Sequence, residues 1–494
     1  MRDYDVIVVG AGNAAFAAAL SARERGAERV VVLEKAPQAM RGGNTYYSGG
    51  LLRIVFDSVE DIEALVPDAE DRLPGFRAGI EPYRAQDFWD DLLRVTAGRT
   101  DRELATVLID RSYETIRWMR EHAGVPMEPA FSLGGIRIGN VVKWPKGAVI
   151  RAEHEGVGLS TRWFAAAAEH GIEIRYGAAA TALERDANGR VVGVRVRDDR
   201  GMDTLTARAV VLGCGGFEAN TAWRARYLGR PWDHAKVRGT RHNQGDGLRM
   251  AMEVGAMPWG QWSGCHATPI SADWPDFADR ERTDKSNRLS YPFGVMINRQ
   301  GHRFVDEGED VAFFTYAKYG GEILRQPGGM GWQIFDSKTV HLLEGRYATS
   351  EPITADTLEA LVQRIDVDDR AQALRTLHAY NDAACDADDF DPSRKDGLAT
   401  RGLGLPKSNW ALRLDSPPFV AYSATGGITF SFGGVKVDTD GRVIGTDWRP
   451  IDGLMACGEM VGGLFHFNYP GGTGLVSGAV YGRIAGATAA AERG

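Results

Sequence analysis

The sequence has few cysteines and no clusters of metal-binding residues. The four cysteines lie far apart, and no CxxC or CxxCH pattern occurs; they are Cys214, Cys265, Cys385 and Cys457. This spacing argues against haem attachment, an iron–sulfur cluster and a dithiol redox centre, and scattered thiols are typical of a reducing compartment. The ten histidines form no HxxxH or HxH pair, and no serine stands in a GxSxG pattern. The sequence therefore predicts neither a metal site nor a Ser–His–Asp hydrolase.

A basic excess and long apolar runs are also missing. Lys and Arg number 58 against 66 Asp and Glu, which gives a net charge of -8. Such a chain has no excess of positive charge to neutralise nucleic-acid phosphates or an anionic membrane surface. No apolar run approaches membrane-spanning length, and residues 1–4 begin neither a signal peptide nor a twin-arginine leader. We therefore expect a cytoplasmic protein with no membrane segment and no nucleic-acid partner.

Short apolar runs are present, and they follow the pattern of a βαβ unit. Residues 5–9 and 30–33 are rich in β-branched residues, as buried parallel strands are. The Ala-rich stretch 13–25 between them has high helix propensity. Similar strands run into glycines at 209–213 and 454–458, which predicts one sheet assembled from distant segments. The long stretch before the last of these strands is richer in Trp, Pro and charge, and we interpret it as an inserted domain.

The turn after the first strand carries a dinucleotide-binding fingerprint. Residues 10–15, Gly-Ala-Gly-Asn-Ala-Ala, form a GxGxxA pattern between a strand and a helix. The first glycine permits a tight turn, the second lets the backbone approach a pyrophosphate, and the helix N-terminus faces the phosphates. Glu34 ends the second strand about 20 residues later, where a carboxylate binds ribose hydroxyls and disfavours a 2′-phosphate. The pattern predicts a dinucleotide site.

Two features favour FAD over NAD as the dinucleotide. No second GxGxxG pattern follows a strand, because Gly213-x-Gly215 has Glu218 in the third place. Segments 41–45 and 48–50 follow the first βαβ unit and offer backbone N–H groups and hydroxyls to a phosphate and a flavin ring. We therefore expect FAD as the cofactor.

Further motifs occur in order along nearly the whole chain. They are Glu34-Lys35, 41–45, 209–217 with Asn220, Gly245-Asp246-Gly247, 301–307, 432–434, 457–459 and 468–475. In this order they resemble the fumarate reductase/succinate dehydrogenase flavoprotein superfamily, most closely its tricarballylate dehydrogenase-like branch.

The resemblance implies an α/β fold in which a Rossmann-like FAD-binding domain of the GR2 type is interrupted by an α+β capping domain. We place the FAD-binding domain at residues 1–258 and 420–494 and the capping, substrate-binding domain at 259–419. The substrate would lie between the two domains at the flavin. Membrane-bound relatives attach FAD to a histidine near the Gly-rich loop, whereas the first histidine here is His122. We therefore expect non-covalent FAD.

The resemblance also implies cofactor contacts residue by residue. The ADP half would be held by Gly10, Gly12, Asn13, Ala14, Glu34 and Lys35, with Ala180 meeting the adenine through its backbone. The pyrophosphate and the flavin would be lined by Arg41, Gly42, Gly43, Asn44, Thr45, Ser48, Gly49 and Gly50. The ribityl chain and the pyrimidine end would be bound by Glu459, Gly474, Leu475 and Val476. Further candidates from the same motifs are Gly213, Cys214, Gly215, Asn220, Asp246 and Gly458.

The sequence departs from the fumarate reductases at three active-site positions. Tyr469 stands where they have a carboxylate-binding arginine, and Val311 stands where they have a proton-donating arginine. Phe430 stands where they have a histidine before the last Gly-Gly pair. These substitutions argue against plain fumarate reduction. Residues 468–474 instead resemble the Tyr-Pro-Gly segment of ketosteroid dehydrogenases, in which a tyrosine hydroxyl and a nearby amide polarise a ketone.

By that analogy Tyr469 donates to a carbonyl oxygen, and the Thr473 amide is its partner. A phenol with a pKa near 10 is a neutral donor at pH 7. The alternative is that Tyr469 only covers the flavin. We count Phe430, Tyr319, Arg241 and Gly472 as substrate-binding candidates.

The identity of the proton acceptor is open at this stage. Ketosteroid dehydrogenases use a tyrosine at the position of Val311, and here Tyr316 and Tyr319 lie just beyond it, in a segment that also fits a packed helix. His266 aligns near a substrate-contacting histidine of the reductases, but it could equally be a core residue beside Trp262. Another basic group, Arg238, Arg241 and His242, could bind a substrate carboxylate or form a solvated loop.

These observations predict an FAD-dependent dehydrogenase acting on CH–CH groups. It would desaturate a C–C bond next to a ketone or carboxylate, in a cyclic ketone, keto acid or tricarballylate-like acid, by α-proton removal and hydride transfer to flavin N5. A separate electron acceptor, which could be a quinone, oxygen or a partner protein, would be needed. The alternative is a fumarate-reductase-like or ene-type reductase that runs in the opposite direction with an external donor. A flavoprotein subunit with little chemistry of its own is a third reading.

Overall fold

The computed structural model describes residues 2–131, 135–144, 147–386 and 389–492. Its strands are β1 (Val6–Val9), β2 (Val30–Glu34), β3 (Leu51–Leu52), β4 (Met127–Pro129), β5 (Ile136–Ile138), β6 (Val141–Lys143), β7 (Ile150–Ala152), β8 (Glu173–Tyr176), β9 (Ala179–Arg185), β10 (Val191–Asp198), β11 (Gly201–Thr206), β12 (Ala209–Leu212), β13 (Lys236–Val237), β14 (Pro258–Ser271), β15 (Val295–Asn298), β16 (Met330–Phe335), β17 (Ile353–Ala355), β18 (Phe419–Val435), β19 (Arg442–Ile444) and β20 (Pro450–Ala456). Its α-helices are α1 (Asn13–Glu24), α2 (Val59–Leu65), α3 (Ala69–Arg72), α4 (Phe76–Gly79), α5 (Ala85–Val95), α6 (Arg102–His122), α7 (Glu155–Glu169), α8 (Thr221–Trp223), α9 (Asp246–Glu253), α10 (Tyr316–Leu324), α11 (Leu358–Arg364), α12 (Arg370–Ala383) and α13 (Thr473–Ala491).

The first large sheet has the strand order β19-β20-β12-β1-β2-β8 and is parallel except at β19. Every residue of β1 and β2 is buried, as expected for parallel strands covered on both faces. The carboxyl ends of β1, β2, β12 and β20 therefore lie at one edge, and the glycine-rich turns of the sequence follow them there. The predicted βαβ unit and the predicted assembly of this sheet from distant segments are confirmed.

A second large sheet is built around the long strand β18. This strand pairs with β13 in parallel and with β14, β16 and β17 antiparallel, and β15 pairs with β16. The proposed domain boundaries at 258/259 and 419/420 lie near the starts of β14 and β18. The sheet also takes in β13 and all of β18, so its strands extend to Val435. The division into a cofactor domain and a capping domain remains our proposal.

Two helix contacts position the site. Helix α1 packs closely against α13, because Gly482 and Gly486 on α13 leave room for the carbonyl oxygens of Ala14 and Ala18. Helix α10 packs on β14, where a Cβ at Gly320 would overlap the backbone of β14. The first contact brings two helix N-termini together at the edge of the first sheet. The second holds the start of α10 over the second sheet.

Within the described ranges, none of the helices combines the length and the apolar character needed to cross a lipid bilayer.

Candidate cofactor and active site

A large cavity extends from the carboxyl edge of the first sheet to the second sheet. Its empty volume is about 1860 Å³, which includes the solvent at its mouth. We call the part around residues 10–14 and 34–36 the nucleotide end. The opposite part, the aromatic end, is lined by Phe313, Tyr316, Phe430, Phe465 and Tyr469. The cavity thus joins the predicted dinucleotide turn to the predicted catalytic loop.

The turn after β1 is built from three distant segments. Gly10 has a φ of 105°, and a Cβ there would lie 2.5 Å from the Gly213 carbonyl oxygen, so glycine is required. The backbone N–H of Asn13 donates to Thr45 Oγ1 at 2.8 Å, and Asn13 Nδ2 donates to the Leu475 carbonyl oxygen at 2.8 Å. These bonds hold the loop after β2 and the start of α13 against the N-terminus of α1.

The nucleotide end carries a buried acid and an ion pair. Glu34 ends β2, and its Oε1 accepts the Ala36 N–H at 2.8 Å. Burial raises the pKa of Glu34. Beside it, Lys35 Nζ lies 2.5 Å from Asp246 Oδ2. A carboxylate at this place suits ribose hydroxyls.

The loop of residues 41–50 is tied to the second sheet through Asn44. Asn44 Nδ2 donates to Glu218 Oε1 at 2.6 Å and to the Thr429 carbonyl oxygen at 2.8 Å, while its Oδ1 accepts the Thr240 N–H at 2.9 Å. The loop therefore cannot move independently of β18.

Two glycines of the cavity wall lie where a phosphate and a ring system would approach. The nearest atom to a Cβ built on Gly12 is Thr45 Oγ1 at 3.3 Å, and a Cβ on Gly474 would stay 3.7 Å from the Phe430 ring. Both glycines stand at the first turn of a helix, α1 and α13 respectively. Helix N-termini attract anionic groups through their free N–H groups and dipole. The residues present therefore fit a bound dinucleotide.

At the aromatic end two tyrosine hydroxyls meet. Tyr316 begins α10, Tyr469 lies just before α13, and their hydroxyl oxygens are 2.5 Å apart. The His266 ring on β14 contacts both phenol rings edge-on, with centroid distances of 4.9 and 4.7 Å. It also stacks on Phe430 at 5.1 Å.

These three polar side chains are neutral at neutral pH. Burial raises the pKa of Tyr469 and raises the pKa of Tyr316 well above its usual range. Burial, with the positive charge of Arg238, lowers the pKa of His266 well below 6.5. Neither ring nitrogen of His266 has a hydrogen-bond partner among the described residues.

A family model described as "FAD binding domain" matches residues 5–476. The chain belongs to this family of FAD-binding proteins. It is 29% identical over 490 residues to the probable fumarate reductase Ifc3 of Shewanella frigidimarina, covering 98% of this chain and 74% of that protein. It is 27% identical over 581 residues to the 3-oxosteroid 1-dehydrogenase of Mycolicibacterium smegmatis, covering 100% of this chain and 99% of that enzyme.

A solved structure of a fumarate reductase shares this fold. The open conformation of a flavocytochrome c3 fumarate reductase superposes with a TM-score of 0.72 at 27% identity, covering 99% of this chain and 78% of that one. The predicted α/β FAD-binding fold, the predicted FAD and the resemblance to the fumarate reductase superfamily are confirmed. This protein is an FAD-dependent oxidoreductase. The non-covalent state of FAD stays a prediction.

Most predicted cofactor residues line the cavity of this FAD-binding protein. Those that do are Gly10, Gly12, Asn13, Ala14, Glu34, Lys35, Gly43, Asn44, Thr45, Ser48, Gly49, Gly50, Ala180, Gly213, Cys214, Gly215, Asp246, Gly458, Glu459, Gly474 and Leu475. Four others lie behind the wall or away from it: Arg41, Gly42, Asn220 and Val476. Arg41 lies over the Phe164 ring at 4.2 Å, and Asn220 caps α8 by accepting the Trp223 N–H at 3.1 Å.

The Thr473 amide does not point where the ketosteroid dehydrogenase analogy places it. Its N–H donates to the Pro470 carbonyl oxygen at 3.2 Å, and its hydroxyl donates to the same oxygen at 2.7 Å. The reason is that Thr473 begins α13 and is used to close the turn before it. The Gly472 N–H faces the Tyr469 hydroxyl instead and lowers the pKa of Tyr469. Gly472 also lines the cavity.

Two substrate-binding candidates lie outside the cavity lining. The Tyr319 hydroxyl donates to the Asp306 carbonyl oxygen and to Glu309 Oε2, so this tyrosine ties α10 to the preceding loop. Arg241 is exposed, and its guanidinium lies over the Phe277 ring. Of the two α10 tyrosines, Tyr316 lines the cavity, whereas the Tyr319 hydroxyl is held outside it by Asp306 and Glu309.

Sequence reasoning missed Asp284 and Arg346, which line the cavity together with Arg238. Asp284 accepts hydrogen bonds from both arginines, and all three side chains are buried. Arg346 Nη1 also donates to Glu344 Oε2 at 2.8 Å. No local motif signals this cluster, because its members come from three separate segments of the chain. Arg238 was visible only as part of a basic run.

Proposed function

We propose that this oxidoreductase dehydrogenates a C–C bond next to a ketone or carboxylate of a small substrate. The observation that carries the proposal is the pair of buried hydroxyls, Tyr316 and Tyr469, 2.5 Å apart in the wall of the FAD-binding cavity. Phenols in such a site can polarise a carbonyl oxygen and handle the neighbouring proton. The 3-oxosteroid 1-dehydrogenase relative aligns over its whole length, which supports this direction of reaction.

We assign Tyr469 as the hydrogen-bond donor to the substrate. Either hydroxyl can be the donor in the 2.5 Å contact, and we take Tyr316 as the donor to the Tyr469 oxygen. The Tyr469 proton is then available for a substrate carbonyl oxygen. The charge of Arg238 and the Gly472 N–H lower the pKa of Tyr469, and both would stabilise an enolate-like charge on that oxygen.

Tyr316 and His266 can take the α-proton. The Tyr316 hydroxyl pairs with Tyr469 in this structure, and the His266 ring lies against the Tyr316 ring with its nitrogens unpartnered among the described residues. The proposed step therefore requires the Tyr316 hydroxyl to rotate and give its proton to the neutral imidazole as its oxygen accepts the α-proton. FAD, when bound, supplies the acceptor for the hydride that leaves the neighbouring carbon. The substrate thus loses one proton and one hydride and gains a double bond. A separate acceptor, a quinone, oxygen or a partner protein, takes the electrons onward.

Arg238 supports a substrate that carries a carboxylate. Its Nε donates to Thr429 Oγ1 at 3.0 Å and its Nη1 binds Asp284. Its Nη2 has no partner among the described residues, and the side chain lines the cavity. A free guanidinium N–H beside the apolar walls of Phe313 and Phe465 suits a carboxylate on an apolar frame. Cyclic keto acids and tricarballylate-like acids combine these features.

A reductase running in the opposite direction is the second candidate. Burial keeps Tyr316 and Tyr469 protonated, which favours proton donation to a double bond. The relative named probable fumarate reductase supports this reading. It would require an external electron donor.

Anaerobic spectroscopy distinguishes the two directions. The yellow protein is mixed with tricarballylate, succinate, a cyclohexanone carboxylate and a ketosteroid. We expect one of them, most readily the keto acid, to bleach the flavin. A protein that stays oxidised with all four, but is reoxidised from its dithionite-reduced form by an unsaturated acid or an enone, is a reductase.

Tyr469→Phe tests the catalytic assignment. Loss of one oxyanion donor lowers kcat by about 100- to 1000-fold, and we expect this loss with little change in bound FAD. Stopped-flow measurement of flavin reduction gives the rate. Tyr422→Phe, on β18 and outside the cavity lining, is the control. Equal rates for Tyr469→Phe and wild type would contradict the role of Tyr469.

A further inference from the structure

Two carboxyl groups meet where the cavity wall joins the two sheets. Glu218 follows β12, Glu459 follows β20, and their side chains lie within hydrogen-bonding distance of each other. Glu459 lines the FAD-binding cavity, whereas Glu218 lies behind it and is completely buried. The proposed reaction uses neither group. Two buried carboxylates in contact would repel each other strongly, so their protonation needs an explanation.

Burial raises the pKa of Glu218, but the hydrogen bonds to its carboxyl group act against that rise and favour its charged form. Its Oε1 accepts the side-chain amides of Asn44 and Asn243, each at 2.6 Å. Its Oε2 is buried and has no donor among the described residues apart from the Glu459 carboxyl group. Oε1 of Glu218 therefore accepts two hydrogen bonds, whereas Oε2 can still accept one from a protonated Glu459.

The surroundings of Glu459 leave one of its oxygens for that proton. Its Oε1 accepts the Ser431 N–H at 2.7 Å and the Ser431 hydroxyl at 3.0 Å. A Cβ at Gly216 would overlap this carboxyl group, so Gly216 makes room for it. Oε2 of Glu459 is therefore the oxygen that can hold a proton and donate it in a hydrogen bond to Glu218.

The charge balance agrees with one proton for the pair. Arg224 on the neighbouring helical turn is the cation that acts on Glu218, and its Nη1 donates to the Glu218 carbonyl oxygen. Cys265 on β14 also faces the pair, and burial raises its pKa well above its usual range, so its thiol is neutral. Burial and the negative charge of Glu218 raise the pKa of Glu459. Asp233 and Asp276 also act on Arg224, so its charge cannot offset two further carboxylates, which agrees with a neutral second carboxyl group.

We propose that Glu218 and Glu459 share a single proton, and that Glu218 is a positioning residue that presents Glu459 to the cofactor as a neutral carboxylic acid. A neutral acid can hydrogen-bond to the cofactor without placing a negative charge beside it. A carboxylate at the same place would oppose the electrons that a bound flavin gains. The inference concerns the FAD-binding wall and holds for either direction of the reaction.

Infrared spectroscopy of the holoenzyme tests the shared proton directly. At neutral pH, the difference spectra of wild type minus Glu218→Gln and wild type minus Glu459→Gln should each show the carbonyl band of one protonated glutamic acid. The first band is expected because Glu459 ionises once the Glu218 charge is gone. Absence of the band from wild type minus Glu218→Gln overturns the proposal. Isotope labelling of glutamate identifies the band.

FAD affinity gives a second, independent readout. We expect Glu218→Gln to weaken FAD binding roughly tenfold at neutral pH, because Glu459 becomes a carboxylate. Glu218→Gln combined with Glu459→Gln should restore the affinity of Glu459→Gln alone. Additive losses would mean that Glu218 only fills space, which contradicts the proposal. Glu253→Gln, an exposed glutamate paired with Arg249, is the matched control. Neither readout involves turnover, so failure of the proposed function leaves both results interpretable.

Discussion

At the scale of single residues, burial sets the chemistry of the aromatic end. Tyr316, Tyr469 and His266 are packed against one another and against Phe430. Burial disfavours the charged form of each side chain, so each is held in its uncharged form. A neutral imidazole can accept a proton and neutral phenols can donate one. The arrangement therefore suits the movement of a proton next to a carbonyl group.

The neutral state of His266 predicts a pH dependence of stability. The folded-state pKa lies well below 6.5, whereas the unfolded chain binds a proton on this residue near pH 6.5. Below pH 6.5 the unfolded state therefore gains a proton that the folded state lacks, and stability falls by about 1.4 kcal/mol per pH unit. This loss is absent above pH 6.5.

His266→Phe isolates that contribution. We expect the variant to match wild type within about 1 kcal/mol at pH 8, since the ring nitrogens have no partners among the described residues. At pH 5 the variant should be more stable than wild type. Urea unfolding of the FAD-saturated proteins at both pH values measures this, and His341→Gln, at an exposed histidine, is the control. Parallel pH curves for His266→Phe and wild type would contradict a neutral, buried His266.

At the scale of elements, the contact between α1 and α13 sets the geometry of the nucleotide end. Small residues face each other across this contact, and Gly482 touches the backbone of Ala14. Asn13 at the start of α1 binds the Leu475 carbonyl oxygen in the first turn of α13. The distance between the two helix axes therefore determines the position of two helix N-termini.

Gly482→Ala should disturb both stability and cofactor binding. The added Cβ would overlap the Ala14 carbonyl oxygen, and overpacking of this kind costs about 1–3 kcal/mol. We expect a lower melting temperature and weaker FAD binding, measured by thermal unfolding and flavin fluorescence. Gly404→Ala is the control, because a Cβ there meets no atom within 4 Å. Unchanged FAD affinity in Gly482→Ala would mean that the helix spacing does not control the nucleotide end.

At the scale of the whole molecule, the cavity is assembled from segments that span almost the entire chain. Gly10 and Gly478 both line it, and so do Thr429 from the second sheet and Arg346 from a helical turn at 345–349. No single segment could bind FAD alone. Cofactor binding should therefore be coupled to folding of both sheets together.

Because the FAD-binding cavity exists only in the folded chain, we expect FAD to be released on unfolding. The loop of residues 41–50 contains no histidine and no cysteine, so we expect no covalent link to the flavin there. Denaturation followed by ultrafiltration should move all of the yellow colour into the filtrate, and addition of FAD to the refolded apoprotein should raise its melting temperature. Colour that stays with the denatured chain would contradict non-covalent binding.

Much of this architecture follows from local patterns. The apolar runs 5–9 and 30–33, with the intervening Ala-rich helix, predicted β1, β2 and α1 almost to the residue. The GxGxxA turn, Glu34 and the glycine-rich segments predicted the nucleotide end, because close backbone approach to a phosphate requires small residues at set spacings. Most of the cofactor residues inferred from these motifs line the cavity.

The chemistry of the aromatic end depends on contacts between distant segments, which no local pattern encodes. Sequence proximity did not distinguish Tyr316 from Tyr319. Tertiary contacts did, because the Tyr316 hydroxyl meets Tyr469 whereas the Tyr319 hydroxyl binds the Asp306 carbonyl oxygen. The cluster around Asp284 joins three segments that are distant in sequence, and Glu218 and Glu459 meet because they follow the paired strands β12 and β20. The sequence by itself determined the family, the fold and the FAD. The tertiary structure alone decided which polar groups are buried next to one another. Burial and the neighbouring polar groups together set their protonation.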